Sequence, residues 1–349
     1  MIGKATISQP GSTVTLETKV TFLNRPETYP ETLSVKALET HMSWVFLTDH
    51  YVYKLKKPVR YDFLNFKTLE ARHKFCTEEV RINQRLAGDT YLGIVPLTME
   101  KSGFLKLDGR GKVIDWLVKM KRLPQEFMLD TVIAAGDIKN EWVQQTAEFL
   151  TDFYLASCPV ECNPGEFRQK LVKDVELNCR ELLRNEFGLS HVLIVGIMTD
   201  LLYFVVKHAD LFDTRITEGR ILDAHGDLRP EHICLAPKPI IIDCLEFDPD
   251  LRIMDVAEEL SFLALECEMV GAPATGQLFL TIYRWKSLDK IPDTMISFYK
   301  AKRAFLRARL CIHHLLEKNY RIDRKKWRGR CEAYLSAAKT YCGQLPEKC

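Results

Sequence analysis

In the run AHGDLRPEHICL, His225, Asp227 and His232 fall within eight residues, after which the chain enters an apolar segment. A second apolar segment, IIID, ends on Asp243. The intervening APKP reads as a turn, so 232–235 and 240–243 are expected to form a hairpin. A four-residue loop would set Leu235 opposite Ile240, and hence His232 opposite Asp243. Asp227 lies in the loop that enters this hairpin. Two carboxylates and an imidazole are therefore expected at one mouth. Phosphoryl transfer uses that inventory: one carboxylate orients or deprotonates an acceptor hydroxyl, and other ligands hold Mg²⁺ on the phosphates. The plainer alternative is that His225 and Asp227 shape a turn and Asp243 ends a strand.

Such residues need a scaffold to position them. The first third of the chain holds short β-branched or aromatic runs broken by turns: LSVKAL, SWVFLTD, YVYKLKKPV and VIDWLVKMKRLP. FLKLDGRGKVIDWL reads as a hairpin turning at Asp108–Gly109. One helix interrupts these strands, from Leu69 to Leu86, with Thr68 as its N-cap. After Pro124 helical patterns dominate, among them FRQKLVKDVELNCRELLRNEF, LRIMDVAEELSFLALECEMV and ISFYKAKRAFLRARLCIHHLLEK. The class is α+β, with a β-rich lobe over 1–121 and a helical lobe over 122–349 that carries the hairpin. A chain of 349 residues is long enough for two lobes sharing a cleft.

Bulk properties narrow the function classes. Hydrophobic residues make up 46% and charged residues 28%, ordinary for a soluble globular protein. A formal net charge of +2 does not point to nucleic acid. HVLIVGIMTDLLYFVVKH is the most apolar stretch. Thr199 and Asp200 interrupt it short of the ~18 apolar residues of a membrane span. A buried helix is expected there, and no membrane partner. The N-terminal segment lacks the apolar core of a signal peptide. The 11 cysteines form no CxxC pairs, which fits reduced thiols in the cytoplasm better than a secreted disulfide framework.

HGDLRPEH, followed by IID across a short hairpin, resembles the catalytic loop and metal-binding aspartate of the aminoglycoside phosphotransferase and choline kinase-like family, a branch of the protein-kinase-like fold. ETHMSWVFLTDHYVYKLKKPV, FCTEEVRINQRLA, VKMKRLP and LEFDPDLRIMDVAEELSFLALE resemble a bacterial subgroup of such proteins, and the likeness runs from about residue 30 to 310. The resemblance implies a two-lobe fold with a small β-rich N-terminal lobe and a larger helical lobe. It implies that Asp227 orients the acceptor hydroxyl or takes its proton, and that Asp243 bridges Mg²⁺ to the phosphates. His225 would buttress the loop, and Asp255 would accept backbone hydrogen bonds from it. The family normally has Asn five residues after the catalytic aspartate, where this chain has His232. An Asn carbonyl suits Mg²⁺, whereas an imidazole nitrogen prefers softer ions. One tightly held metal, use of Mn²⁺ and weak catalysis all remain open.

The same resemblance asks for a lysine on the third strand and a helix glutamate to hold it. Lys54 and Lys56 share a strand face, so parity does not choose between them. Two residues before the lysine, the strand should face adenine. Val52 suits that role for Lys54, whereas Lys56 would place Lys54 there. On the helix, Glu79 falls about 40° from Phe75 and Glu78 about 60° to the other side, so Glu79 is the expected partner. An exposed pair of glutamates is the alternative. The turn that should cover the phosphates, ETHMSWVF, has no glycine, leaving backbone N–H groups and Ser43. Backbone groups from Lys119 to Lys121, around Met120, would read the adenine edge.

On this reading ATP and Mg²⁺ (or Mn²⁺) are the cofactors, and a small hydroxylated molecule accepts the γ-phosphate. The late helix YKAKRAFLRARL is basic through Lys300, Lys302, Arg303, Arg307 and Arg309. A solvated face is the ordinary explanation. Were it to line the cleft, it would favour a neutral or anionic substrate over an aminoglycoside. The rival reading is a pseudokinase-like module that binds nucleotide or a partner with little catalysis.

Overall fold

Strand alternation in the first part of the chain builds one antiparallel sheet. The computed structural model describes residues 14–30, 32–61, 64–316 and 323–347. Strands Lys36–Glu39, Ser43–Leu47, Tyr51–Lys56, Lys112–Lys121, Tyr91–Met99 and Leu105–Leu107 follow one another across the sheet in that order. Successive side chains point to opposite faces. Phe46, Tyr53, Leu55, Leu97 and Leu117 therefore fill one apolar face, closed by Leu23 and Tyr29. On the other face Val52, Val118 and Met120 pack with Cys76, Val80 and Ala87 of the helix Leu69–Ala87. That helix begins where Thr68 Oγ1 accepts the Ala71 N–H, as its sequence predicts.

The expected hairpin at Asp108–Gly109 does not form. Strands 105–107 and 112–121 both pair with strand 91–99, one on each edge. The connection crosses the end of that strand at close range. A Cβ on Gly111 would lie 2.3 Å from the Met99 carbonyl oxygen, so the glycine serves approach, not turn conformation.

The chain divides into two compact units. The first takes residues up to Thr131 together with His232–Leu251, and the second takes Val132–Glu231 and Arg252 onward. The sequence reading kept the 232–243 hairpin with the helical lobe; its contacts group it with the sheet.

The second unit is built on helices Asn140–Ala156, Pro164–Leu182, His191–Lys207, Ala209–Thr217, Val256–Met269, Pro273–Ser287, Asp293–His313 and Arg324–Cys342. Short strands Ile221–Asp223 and Ile253–Asp255 pair within it. The basic 293–313 helix is not a solvated face. Lys300, Lys302 and Arg303 are buried, each paired with a glutamate of the 256–269 helix. Arg307 Nε reaches Glu266 Oε1 at 3.1 Å. Those charges are matched internally, so the inference from them to a substrate's charge is withdrawn. The apolar 191–207 helix buries one face only: Ile194, Ile197, Leu201 and Phe204 are inside, whereas Val192 and Val206 are exposed. Among the described residues no single helix is long and apolar enough to cross a membrane.

Candidate active site

In the first unit, strand 51–56 puts Val52, Lys54 and Lys56 on the face covered by the 69–87 helix. Both lysines reach Glu79, which is fully buried. Lys54 Nζ stands 2.9 Å from Glu79 Oε1 and 2.7 Å from Asp243 Oδ1. Lys56 Nζ lies 2.5 Å from Glu79 Oε2 and also bonds Glu246. Glu78 instead faces outward and pairs with Arg81 on its own helix. Burial pulls the Lys54 ammonium down, but the carboxylates of Asp243, Glu79 and Glu246 hold it well above its ordinary value. Burial pushes Glu79 up, and the two lysines overcome it, leaving it below the usual range. Glu246 is pushed up by burial, which Lys56 only partly offsets.

Asp243 closes the hairpin, but not in the expected register. Ile233 pairs with Ile241 and Cys234 with Ile240. Ile242 N–H donates to the His232 carbonyl at 2.9 Å, so His232 faces Ile242 rather than Asp243. The cause is a competing partner: Leu235 N–H donates to the Phe127 carbonyl, which lengthens the loop by one residue. Asp243 then leaves the strand with φ of +65°. A side chain in that left-handed region costs about 1–3 kcal/mol and persists only where neighbours hold it. Here Tyr91 Oη accepts the Asp243 N–H at 3.2 Å, and Asn83 Oδ1 accepts the Cys244 N–H at 2.9 Å. His232 Nε2 still comes within 3.6 Å of Asp243 Oδ2.

Val52 and Met120 sit opposite each other on neighbouring strands and share an apolar cluster with Tyr91, Ile240 and Ile242. The peptide groups of Lys119–Lys121 are not presented as an edge. Met120 is paired with Val52 on one side and Tyr91 on the other, so this segment is interior strand. Ser43 is buried, and its N–H donates to Thr40 Oγ1 in the glycine-free turn.

In the second unit, the loop 225–231 follows strand 221–223. His225 is fully buried, and its Nδ1 accepts the Asp227 N–H at 3.2 Å. Arg229 clamps the Asp227 carboxylate, Nη2 to Oδ2 at 2.9 Å. Asp255 does not receive the loop's backbone donors. It caps its own helix through the Ala257 N–H and takes Arg215 and Tyr299. The loop N–H groups of His225 and Gly226 go to Glu259 Oε1 at 2.9 and 2.7 Å, one helical turn further on. Glu259 Oε2 accepts from Tyr154, completing a buried carboxylate with every oxygen in use.

The sequence reading weighed Lys56 only as the alternative to Lys54, and it missed Asn83, Tyr91, Glu246, Arg229 and Glu259. Arg229 lay inside the motif itself, and Glu259 lay one turn beyond Asp255 on the same helix. Asn83, Tyr91 and Glu246 act through contacts distant in sequence, which no local pattern announces.

No protein-family model matches the chain. Its curated relatives include uncharacterized proteins of Mycobacterium tuberculosis and Mycobacterium bovis, each 33% identical over 276 residues, covering 78% of this chain and 53% of theirs. The chain thus spans about half the length of those relatives. Among solved structures, the choline kinase of Streptococcus pneumoniae is 14% identical with a TM-score of 0.54, over 92% of this chain and 99% of that one. A choline/ethanolamine kinase family protein of Mesorhizobium loti is 13% identical with a TM-score of 0.50, over 94% and 98%. The chain has the α+β, protein-kinase-like fold of the aminoglycoside phosphotransferase and choline kinase-like proteins.

Proposed function

We propose that this protein is an ATP-dependent phosphotransferase that moves the γ-phosphate to a hydroxyl of a small molecule. The observation that carries the reading is Lys54, held between Glu79 and Asp243 at 2.9 and 2.7 Å. That is a cation placed for phosphate beside a carboxylate placed for metal. The apolar surface of Val52, Met120 and Ile242 on the same face suits an adenine ring. Asp243 fits a magnesium ion: its carboxylate is a hard-oxygen donor with 44% of the side chain exposed. Bound there, the ion would neutralise charge on the phosphates. His232 offers a nitrogen, a poorer match to Mg²⁺ and a better one to Mn²⁺.

Asp227 is assigned to the acceptor hydroxyl. Arg229 fixes its carboxylate, and Glu259 fixes the backbone that carries it. A reducing, cytoplasmic setting belongs to the proposal. It is supported by the free thiols of Cys76, Cys267 and Cys331, none of them in a disulfide.

A second reading, a module that binds nucleotide or a partner and catalyses little, is favoured by His232 at the expected Asn position and by the buried Ser43. One experiment separates the two. ATP turnover is followed with Mg²⁺ and then Mn²⁺ across a pool of hydroxylated metabolites, for wild type and Asp227→Asn. Transfer by wild type, lost in Asp227→Asn with ATP affinity retained, supports the enzyme. ATP binding without transfer to any acceptor supports the module.

A further inference from the structure

Three contacts tie the Asp243 turn to the 69–87 helix and the strands beside it. Tyr91, just past the end of that helix, takes the Asp243 N–H, and Asn83 takes the Cys244 N–H. The third tether is ionic: Lys56 bonds Glu79 of the helix and Glu246, three residues after Asp243. Lys56 is fully buried, so solvent does not compete for it.

The two oxygens of Glu79 serve different lysines. Oε2 takes a directed hydrogen bond from Lys56. Oε1 faces Lys54 at 2.9 Å but receives no hydrogen bond of good geometry. Lys56 is thus the fixed ligand of Glu79, and Lys54 is held there mainly by charge. Lys54 also donates to Asp243 and keeps 15% of its side chain exposed, whereas Lys56 is enclosed between Glu79 and Glu246 with none exposed.

We propose that Lys56 and Glu246 are positioning residues that tie the Asp243 turn to the 69–87 helix, so that the phosphate-binding lysine and the metal-binding carboxylate are set as one assembly. Without Lys56, Glu246 would lose its direct ion pair and keep only the charge of Lys54, for which both oxygens of Glu79 would also compete. Lys54 would be drawn away from Asp243, and the left-handed turn would lose a tether. This inference rests on the functional reading above, in which Lys54 meets phosphate and Asp243 meets metal.

The test measures affinity for a non-hydrolysable ATP analogue by calorimetry, with and without Mg²⁺, for the full chain. Wild type should bind more tightly with Mg²⁺, and Asp243→Asn should lose that gain. Lys56→Met should lose roughly tenfold of the Mg²⁺-dependent gain while metal-free affinity moves by less than about threefold. Glu246→Gln keeps the side-chain shape and should show the same selective loss at smaller size. It carries the test if Lys56→Met does not fold. A merely structural role would lower the melting temperature without this selectivity. Absence of any Mg²⁺-dependent gain in wild type overturns the functional reading, and this inference with it. A gain present in wild type and kept in both variants, or a loss equal with and without metal, overturns the inference alone.

Discussion

Lys302 Nζ lies 2.9 Å from Glu258 Oε1 in the interior of the helical unit. Arg303 Nε reaches the same oxygen at 2.7 Å. A carboxylate shared by two buried cations cannot be removed from one side only. Glu258→Leu would strand Arg303 and leave Lys302 with Asp174 alone, at a cost of about 3–5 kcal/mol. The urea midpoint should fall accordingly, and a change within experimental error would show that Asp174, near Lys302 at 3.3 Å, suffices. The same pairing sets an acid limit. Burial alone would raise Glu258, but Lys302 and Arg303 bring it down from 4.5 to about 2. A depressed carboxylate contributes stability that is present above its unfolded pKa and lost as pH falls through the folded one. The melting-temperature gap between wild type and Glu258→Gln should therefore be full near pH 6 and close between about pH 4.5 and 2.

Glu259 holds the Asp227 loop through two backbone donors, His225 and Gly226. Glu259→Gln can keep its oxygen on those N–H groups and turn its amide toward Tyr154, whose hydroxyl can accept. Glu259→Leu leaves both donors buried without an acceptor, each costing about 1–3 kcal/mol. We expect kcat to drop sharply in Glu259→Leu and little in Glu259→Gln, with ATP affinity nearly constant in both. Equal kcat in the two variants would show that the loop is held by other contacts.

Parts of this organisation were legible in the sequence, and the failures have physical causes. The strand runs SWVFL and YVYKLK and the Thr68 cap are local features, and they appear as read. The angular argument for Glu79 over Glu78 used only helix geometry, and the structure turns Glu79 inward. The hairpin register depended on Phe127, far away in the chain, whose carbonyl takes the Leu235 N–H. The basic 293–313 helix was misread because a run of cations looks the same against water or against glutamates. Its partners, Glu258, Glu266 and Glu268, were visible on a helix that is otherwise mostly apolar. Reading the two helices together would have exposed the pairing. Lys56 could not be weighed from the strand alone, since its second partner, Glu246, follows Asp243 in a segment distant in sequence.

Lys54 offers a direct check of the nucleotide assignment. On the proposed function, Lys54→Ala would remove a charge-assisted contact to phosphate, worth roughly 1.5–3 kcal/mol, and should weaken ATP binding by that amount. Asp243→Asn should instead spare metal-free binding and lose only the metal-dependent part. Calorimetry on the two variants separates these effects. Equal ATP affinity in wild type and Lys54→Ala would remove Lys54 from the site.

His232 stands where a metal-ligating Asn is expected, and its Nε2 is 3.6 Å from Asp243 Oδ2. Two roles fit that distance. In one, the imidazole shares a metal ion with Asp243; in the other, it braces the carboxylate and leaves the ion to oxygen ligands alone. Nitrogen ligation favours Mn²⁺ over Mg²⁺, whereas a bracing role leaves the metal preference to Asp243. His232→Asn replaces the nitrogen with a hard amide oxygen of suitable reach. If His232 is a ligand, the variant should shift preference toward Mg²⁺ and raise Mg²⁺-dependent turnover, read as kcat/KM with each ion at saturation. An unchanged Mn²⁺-to-Mg²⁺ ratio in His232→Asn assigns the bracing role. In that case His232→Ala should loosen Asp243 and weaken binding of both metal–nucleotide complexes alike.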